Sequence, residues 1–171
     1  MASRNCAAGV LQVPHMKLYF LRHTEALDGM DDGARPLSDD GRSDARKLGQ
    51  FLKRNGIEFD GAYASPLVRA RETAELVLQQ TGGLKPVRLE LVEAMTNGTS
   101  ATAFQSWLSQ LPAARHVLLV GHEPTISERV RRLLGLVRSD ALGMAKGALA
   151  CVETENRRTA ALKWFLSPKR L

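Results

Sequence analysis

Cysteine is scarce in this sequence: Cys6 and Cys151 are the two, and they form no CxxC pair. That excludes a cysteine-built zinc module and a disulfide framework, and it suits a reducing cytoplasm. Aromatic residues make up 5% of the chain, too few for the stacking platforms of single-stranded nucleic-acid binders. No apolar run approaches the length of a membrane span. Residues 1–15 lack the apolar core and cleavage pattern of a secretory leader. HExxH, GxxxxGK(S/T) and GxGxxG are all missing, so zinc hydrolysis and ATP or NAD binding have no motif to rest on. The acidic loop with Asp28, Asp31 and Asp32 fails calcium-loop spacing and reads as flexible and solvated. No metal and no cofactor are expected.

What is present is ordinary in bulk. With 171 residues, 44% apolar and 25% charged, the chain fits one globular domain able to bury roughly 70% of its unfolded surface. The domain is expected over residues 16–171, with residues 1–15 as an N-terminal extension. The net charge of +6 fits an anionic substrate, an acidic partner or nucleic acid. Arg129, Arg131, Arg132 and Arg138 read as a solvated helix face or, more sharply, as a docking patch for an acidic partner. No nucleic-acid motif accompanies the charge, so neither nucleic acid nor membrane is the expected partner. A monomer is expected, since no apolar helix face is left over.

Strand and helix patterns alternate along the chain. Strands are predicted at residues 17–21, 57–64, 87–91 and 115–120, and a closing antiparallel hairpin at 148–153 and 159–165. One helix follows Ser38 as its cap and stops at Asn55-Gly56; another starts at Ser65-Pro66 and stops at Gly82-Gly83. Further helices cover 99–111 and the segment after Pro124. Such alternation implies an α/β three-layer sandwich, a mostly parallel mixed sheet with helices on both faces.

In sheets of this kind ligands bind beyond the carboxyl ends of the strands. Three strand ends carry unusual polar residues: Arg22-His23, Ser65-Pro66 with Arg69 one turn on, and Gly121-His122. Together they gather two histidines and two arginines. Arginine forks match phosphoryl oxygens and stay charged at any relevant pH. A neutral imidazole can attack phosphorus and hold the phosphoryl group until water releases it.

The same residues resemble a known family. Leu21-Arg22-His23-Thr24 is similar to the RHG signature of the histidine phosphatase superfamily, which includes the cofactor-dependent phosphoglycerate mutases. The segment from Ser65 to Ala74 resembles its SPLxRAxQTA motif, and Gly121-His122-Glu123-Pro124 its second histidine motif. The closer likeness, over residues 16–169, is to SixA-type phosphohistidine phosphatases. It rests also on Arg35-Pro36-Leu37-Ser38, on Ile126-Ser127 and on the ending Trp164-Phe165-Leu166-Ser167-Pro168.

The resemblance implies a phosphoglycerate mutase-like fold and a metal-independent phosphatase acting on phosphohistidine of a protein, such as a histidine phosphotransfer domain. It makes His23 the nucleophile and Arg22, Arg69 and His122 the phosphoryl ligands, with Arg35 as a further contact. Glu93 stands near where larger relatives keep a general acid. Thr24 replaces the glycine of the signature, and is expected to narrow the approach to the phosphate or to offer it a hydroxyl.

Plainer readings hold elsewhere. His15 is assigned to the tail, His116 to an exposed strand start, Arg71 and Glu72 to surface ion pairs, and Phe104 with Trp107 to the core. A small phosphomonoester is the alternative substrate. A non-catalytic phosphate-binding module is the alternative of a different class.

Overall fold

The computed structural model describes residues 15–29, 31–83, 86–138 and 140–168. The expectation for residues 1–15 therefore falls outside the described residues except at His15, and so does Cys6. One six-stranded sheet has the order β3-β2-β4-β1-β5-β6. Strands β1 (Met16–Arg22), β2 (Gly61–Ala64), β3 (Leu89–Leu91) and β4 (His116–Gly121) are parallel. β5 (Leu149–Thr154) and β6 (Ala161–Leu166) close the sheet antiparallel, beside β1. Helices α1 (Asp39–Arg54) and α2 (Val68–Thr81) cover one face, and α3 (Ala101–Gln110) and α4 (Thr125–Leu133) the other. The predicted mixed α/β sandwich is the observed one.

Central strands buried on both faces read as unbroken apolar runs. Along β1, Leu18 and Phe20 pack with Phe104, Leu108, Ile126 and Val130, while Tyr19 and Leu21 pack with Leu48, Leu52, Ala74 and Val77. Leu118 and Leu119 of β4 divide between the two layers in the same way. Burial of each such leucine contributes about 2 kcal/mol. Among the described residues no helix is long and apolar enough to cross a membrane.

Several boundaries differ from the predictions. Residues 57–60 are not strand: Ile57 N–H closes α1 on Leu52 O, and Asp60 turns the chain by accepting the N–H groups of Arg115 and His116 at 2.7 and 2.9 Å. α2 begins at Val68 rather than Pro66, because Ser65 Oγ accepts Leu67 N–H within the preceding turn. Ser38 and Ser100 do cap α1 and α3.

The solvated arginine face holds at Arg132 and Arg138, whose side chains are exposed, and is corrected at Arg129. Arg129 is 3% exposed; it donates to Thr96 O at 2.8 Å and lies 4.5 Å from the Phe104 ring centre. Burial lowers its pKa to about 10, which leaves it charged at neutral pH. Arg131 donates to Leu142 O, Arg132 pairs with Glu128, and Arg138 pairs with Asp140. Glu72 accepts Leu37 N–H at 2.8 Å, so it braces the chain instead of serving only a surface pair.

Gly41, in the first turn of α1, lets the segment after β1 approach. A Cβ there would lie 2.0 Å from Glu25 O. Gly41→Ala should therefore lower stability by about 2–3 kcal/mol, read as a reduced urea midpoint with little change in slope. An unshifted midpoint would show that the contact yields freely.

Candidate active site

The carboxyl ends of β1, β2 and β4 meet on one side of the sheet, and His23 lies at their centre. Its main chain is fixed on both flanks. His23 N–H donates to Gly121 O at 3.0 Å, and Gly147 N–H reaches Arg22 O and His23 O at 3.2 and 3.1 Å. The His23 ring is anchored by Nδ1, 2.7 Å from Thr24 O. A carbonyl can only accept, so Nδ1 carries the proton and Nε2 keeps its lone pair.

His122 follows β4 directly, its ring centre 5.1 Å from that of His23. It is 3% exposed, and neither of its ring nitrogens has a hydrogen-bond partner among the described residues. Buried polar atoms are costly to leave without a hydrogen-bond partner.

Burial, more than any other cause, lowers the pKa of His23 to about 4, with the Arg69, Arg22 and Lys146 charges adding to it and the Thr24 carbonyl opposing it. Burial likewise lowers His122 to about 3, with His23 and Arg69 adding to it and Asp32 opposing. Both rings are neutral at neutral pH.

These shifts give a stability prediction. Unfolded, each ring protonates near 6.5; folded, only near 4 or 3. As pH falls below 6.5 the unfolded chain binds more protons, and stability is lost by about 1 kcal/mol per pH unit for each ring. Above 6.5 the two rings contribute no slope. Urea unfolding between pH 7 and 5 should show this loss, and it should be shallower in His122→Leu; an equally steep loss there would contradict it.

The arginines arrive from separate elements. Arg22, at the end of β1, donates to Met144 O at 2.8 Å and keeps a buried Nε without a partner. Arg69, in the first turn of α2, is 8% exposed and donates to Asp32 O at 2.5 Å and Asp32 Oδ2 at 3.0 Å. Thus His23, His122, Arg22 and Arg69 come together as the sequence suggested.

The remaining site residues fare differently. Thr24 is 1% exposed, its N–H and hydroxyl both 3.2 Å from Thr73 Oγ1. The side chain that replaces the signature glycine packs against α2 through Thr73. Arg35 is held by Leu27 O, Asp28 and Asp32, and so shapes the loop that covers Arg69. Glu93 opens a 3-10 turn (Glu93–Met95) just after β3 and is exposed. His116 is not an exposed strand start; it is half-buried, with Nδ1 2.7 Å from the Tyr19 hydroxyl.

Sequence reasoning missed Asp32 and Lys146. Lys146 pairs with Glu25 at 3.6 Å and contributes to the field on His23. Its signal was obscure, because an antiparallel β5 begins beside the end of β1 only once the strand order is known. Among the described residues no three His, Cys, Asp or Glu side chains gather as a metal site would require.

Comparison with known proteins agrees with this geometry. The model of the histidine phosphatase superfamily (branch 1) matches residues 18–98, the part that holds Arg22, His23 and Arg69. An uncharacterized protein of Picosynechococcus sp. is 32% identical over 167 residues, 88% of this chain and 99% of its own length. The phosphohistidine phosphatase SixA of Escherichia coli (strain K12) is 25% identical over 158 residues, 90% of this chain and 94% of its own. The structure of the protein histidine phosphatase SixA complexed with tungstate superposes with a TM-score of 0.81 at 25% identity, over 91% of this chain and 99% of that one.

Proposed function

We propose that this chain, which belongs to the histidine phosphatase superfamily and whose likeness to SixA supports a phosphatase, removes phosphoryl groups from phosphohistidine on a protein. The observation that carries the reading is the His23 ring, neutral and held by Thr24 O with Nε2 unprotonated, among Arg22, Arg69 and His122.

In the first step Nε2 attacks phosphorus. The bond to the substrate imidazole breaks as the bond to His23 forms, and the leaving ring departs neutral, its other nitrogen already protonated. His23 then carries a positive charge, which Thr24 O stabilises through Nδ1–H. Arg22 and Arg69 balance the charge on the equatorial oxygens, where most of the catalysis of phosphoryl transfer lies. Water then attacks phosphorus, the bond to His23 breaks, and orthophosphate leaves with both protons of the water while the ring returns to its neutral form.

Two features support a nitrogen-linked substrate. The SixA likeness spans nearly the whole of both chains. A protonated imidazole also leaves without strong help from an enzymic acid, whereas an alkoxide needs a proton. A second reading, a small phosphomonoester, would draw that proton from Glu93, the exposed carboxyl group just after β3.

The test compares a phosphohistidine-bearing phosphotransfer domain with an aryl phosphate, both in excess chelator. A kcat/KM at least about tenfold higher for the phosphotransfer domain is expected. The reverse order would move the substrate to phosphomonoesters. Binding of either without turnover would leave a phosphate-binding module.

A further inference from the structure

We propose that Asp32 is a specificity-determining residue: an internal anion that occupies the Arg69 fork in the free protein, yields it to a phosphoryl group, and then faces the leaving group. The inference rests on the reading of His23, Arg22 and Arg69 as a phosphoryl site.

Both terminal nitrogens of Arg69 are taken by this one residue, through Asp32 O at 2.5 Å and Oδ2 at 3.0 Å. The Arg69 side chain is 10% exposed and that of Asp32 is 65% exposed, so the carboxylate closes the fork from the solvent side. Hydrogen bonds from Arg69 and Arg35 hold its pKa below the usual carboxylate range, and Asp32 stays ionised at neutral pH. Its charge is also felt at His122, where it opposes the effects of burial and the other cations. Arg22, by contrast, keeps a buried Nε without a partner. The fork of Arg69 is therefore presented to a ligand already neutralised.

A second cation, Arg35, holds the other oxygen of the carboxylate. Asp32 Oδ1 remains 3.1 Å from Arg35, whose Nε is fixed on Leu27 O at 2.7 Å and whose other nitrogen reaches Asp28. The turn itself is closed by Asp31, which accepts Gly33 N–H at 2.9 Å. A carboxylate displaced from Arg69 and kept by Arg35 would stand at the rim of the site. There a negative charge attracts a protonated, cationic imidazole and gives nothing to a neutral aryl or alkyl group. A phosphoryl group that brings its own cation offsets the loss of the Asp32–Arg69 contact, and one that does not meets a like charge.

The test is Asp32→Asn, which keeps the size and the Oδ1 acceptor, beside Asp32→Glu, which restores the charge. Inorganic phosphate binding is measured by calorimetry, and kcat/KM for free phosphohistidine and for an aryl phosphate, at constant ionic strength. Asp32→Asn should bind phosphate about fivefold more tightly and lower the phosphohistidine-to-aryl ratio about fivefold, through KM of the aryl phosphate, with Asp32→Glu nearer the wild type. Unchanged or weaker phosphate binding would overturn the occupancy of the fork, and an unchanged ratio would overturn the selectivity. A loosened loop alone would weaken phosphate binding and slow both substrates. Absence of turnover in every protein would sink the phosphatase reading, while the calorimetry would still decide whether Asp32 holds the fork.

Discussion

Replacing His23 by alanine should reduce turnover by at least about a thousandfold, because its Nε2, oriented by the Nδ1 contact to Thr24 O, is the atom read as forming the covalent bond. The ring is 8% exposed and fixed by Thr24 O, and its Nε2 lone pair is what the substitution deletes. Arg22 and Arg69 do not depend on the ring for their contacts, which go to Met144 and Asp32. Binding of inorganic phosphate should therefore survive, within about threefold, since the cations supply most of it. A variant that keeps more than about a tenth of the wild-type rate would show that water attacks phosphorus directly. The split between lost turnover and kept binding separates a missing nucleophile from a collapsed site.

His122→Leu should move stability and activity in opposite directions. Among the described residues no protein group partners either buried ring nitrogen, and an apolar side chain of similar volume needs no partner. The variant should unfold at a higher urea concentration at pH 7. The same change removes a donor aimed at the phosphoryl group and should lower kcat about a hundredfold. A less stable variant would mean that the ring is satisfied by its packing, and an unchanged kcat would mean that it serves only structure. Sites that hold strained or unsatisfied groups for a ligand commonly show this exchange of stability for function.

The architecture and the four central residues were legible for a local reason. Arg22, His23 and His122 directly follow apolar runs that can only be buried strands, so their place at the strand ends follows from sequence alone. Arg69 lies one turn before Thr73 on the face that carries Ala70, Ala74 and Val77, all buried. The same rule could have found Arg129, which shares helical spacing with Ile126, Val130 and Leu133; its charge suggested solvent, and the packing against Phe104 overrode that. The contact of Thr24 with Thr73 was not legible, because Thr73 comes from a helix far along the chain. Asp32 was unreadable for the same reason: a carboxylate in a Gly- and Asp-rich loop looks solvated until the loop is folded over Arg69. Strand limits at residues 57–60 failed where Asp60, a side chain, bonds the backbone in place of a sheet neighbour.

The covalent role of His23 is the centre of this account, and rapid quenching tests it most directly. The protein is mixed with a slight molar deficit of phosphohistidine-bearing phosphotransfer domain in excess chelator, quenched in alkali within the first turnover, and digested for mass spectrometry. One phosphoryl group, stable in alkali and lost in acid, is expected on the peptide that contains His23, appearing before free orthophosphate and absent from His23→Ala. Orthophosphate released at the full rate with no phosphorylated peptide at any time would contradict the account.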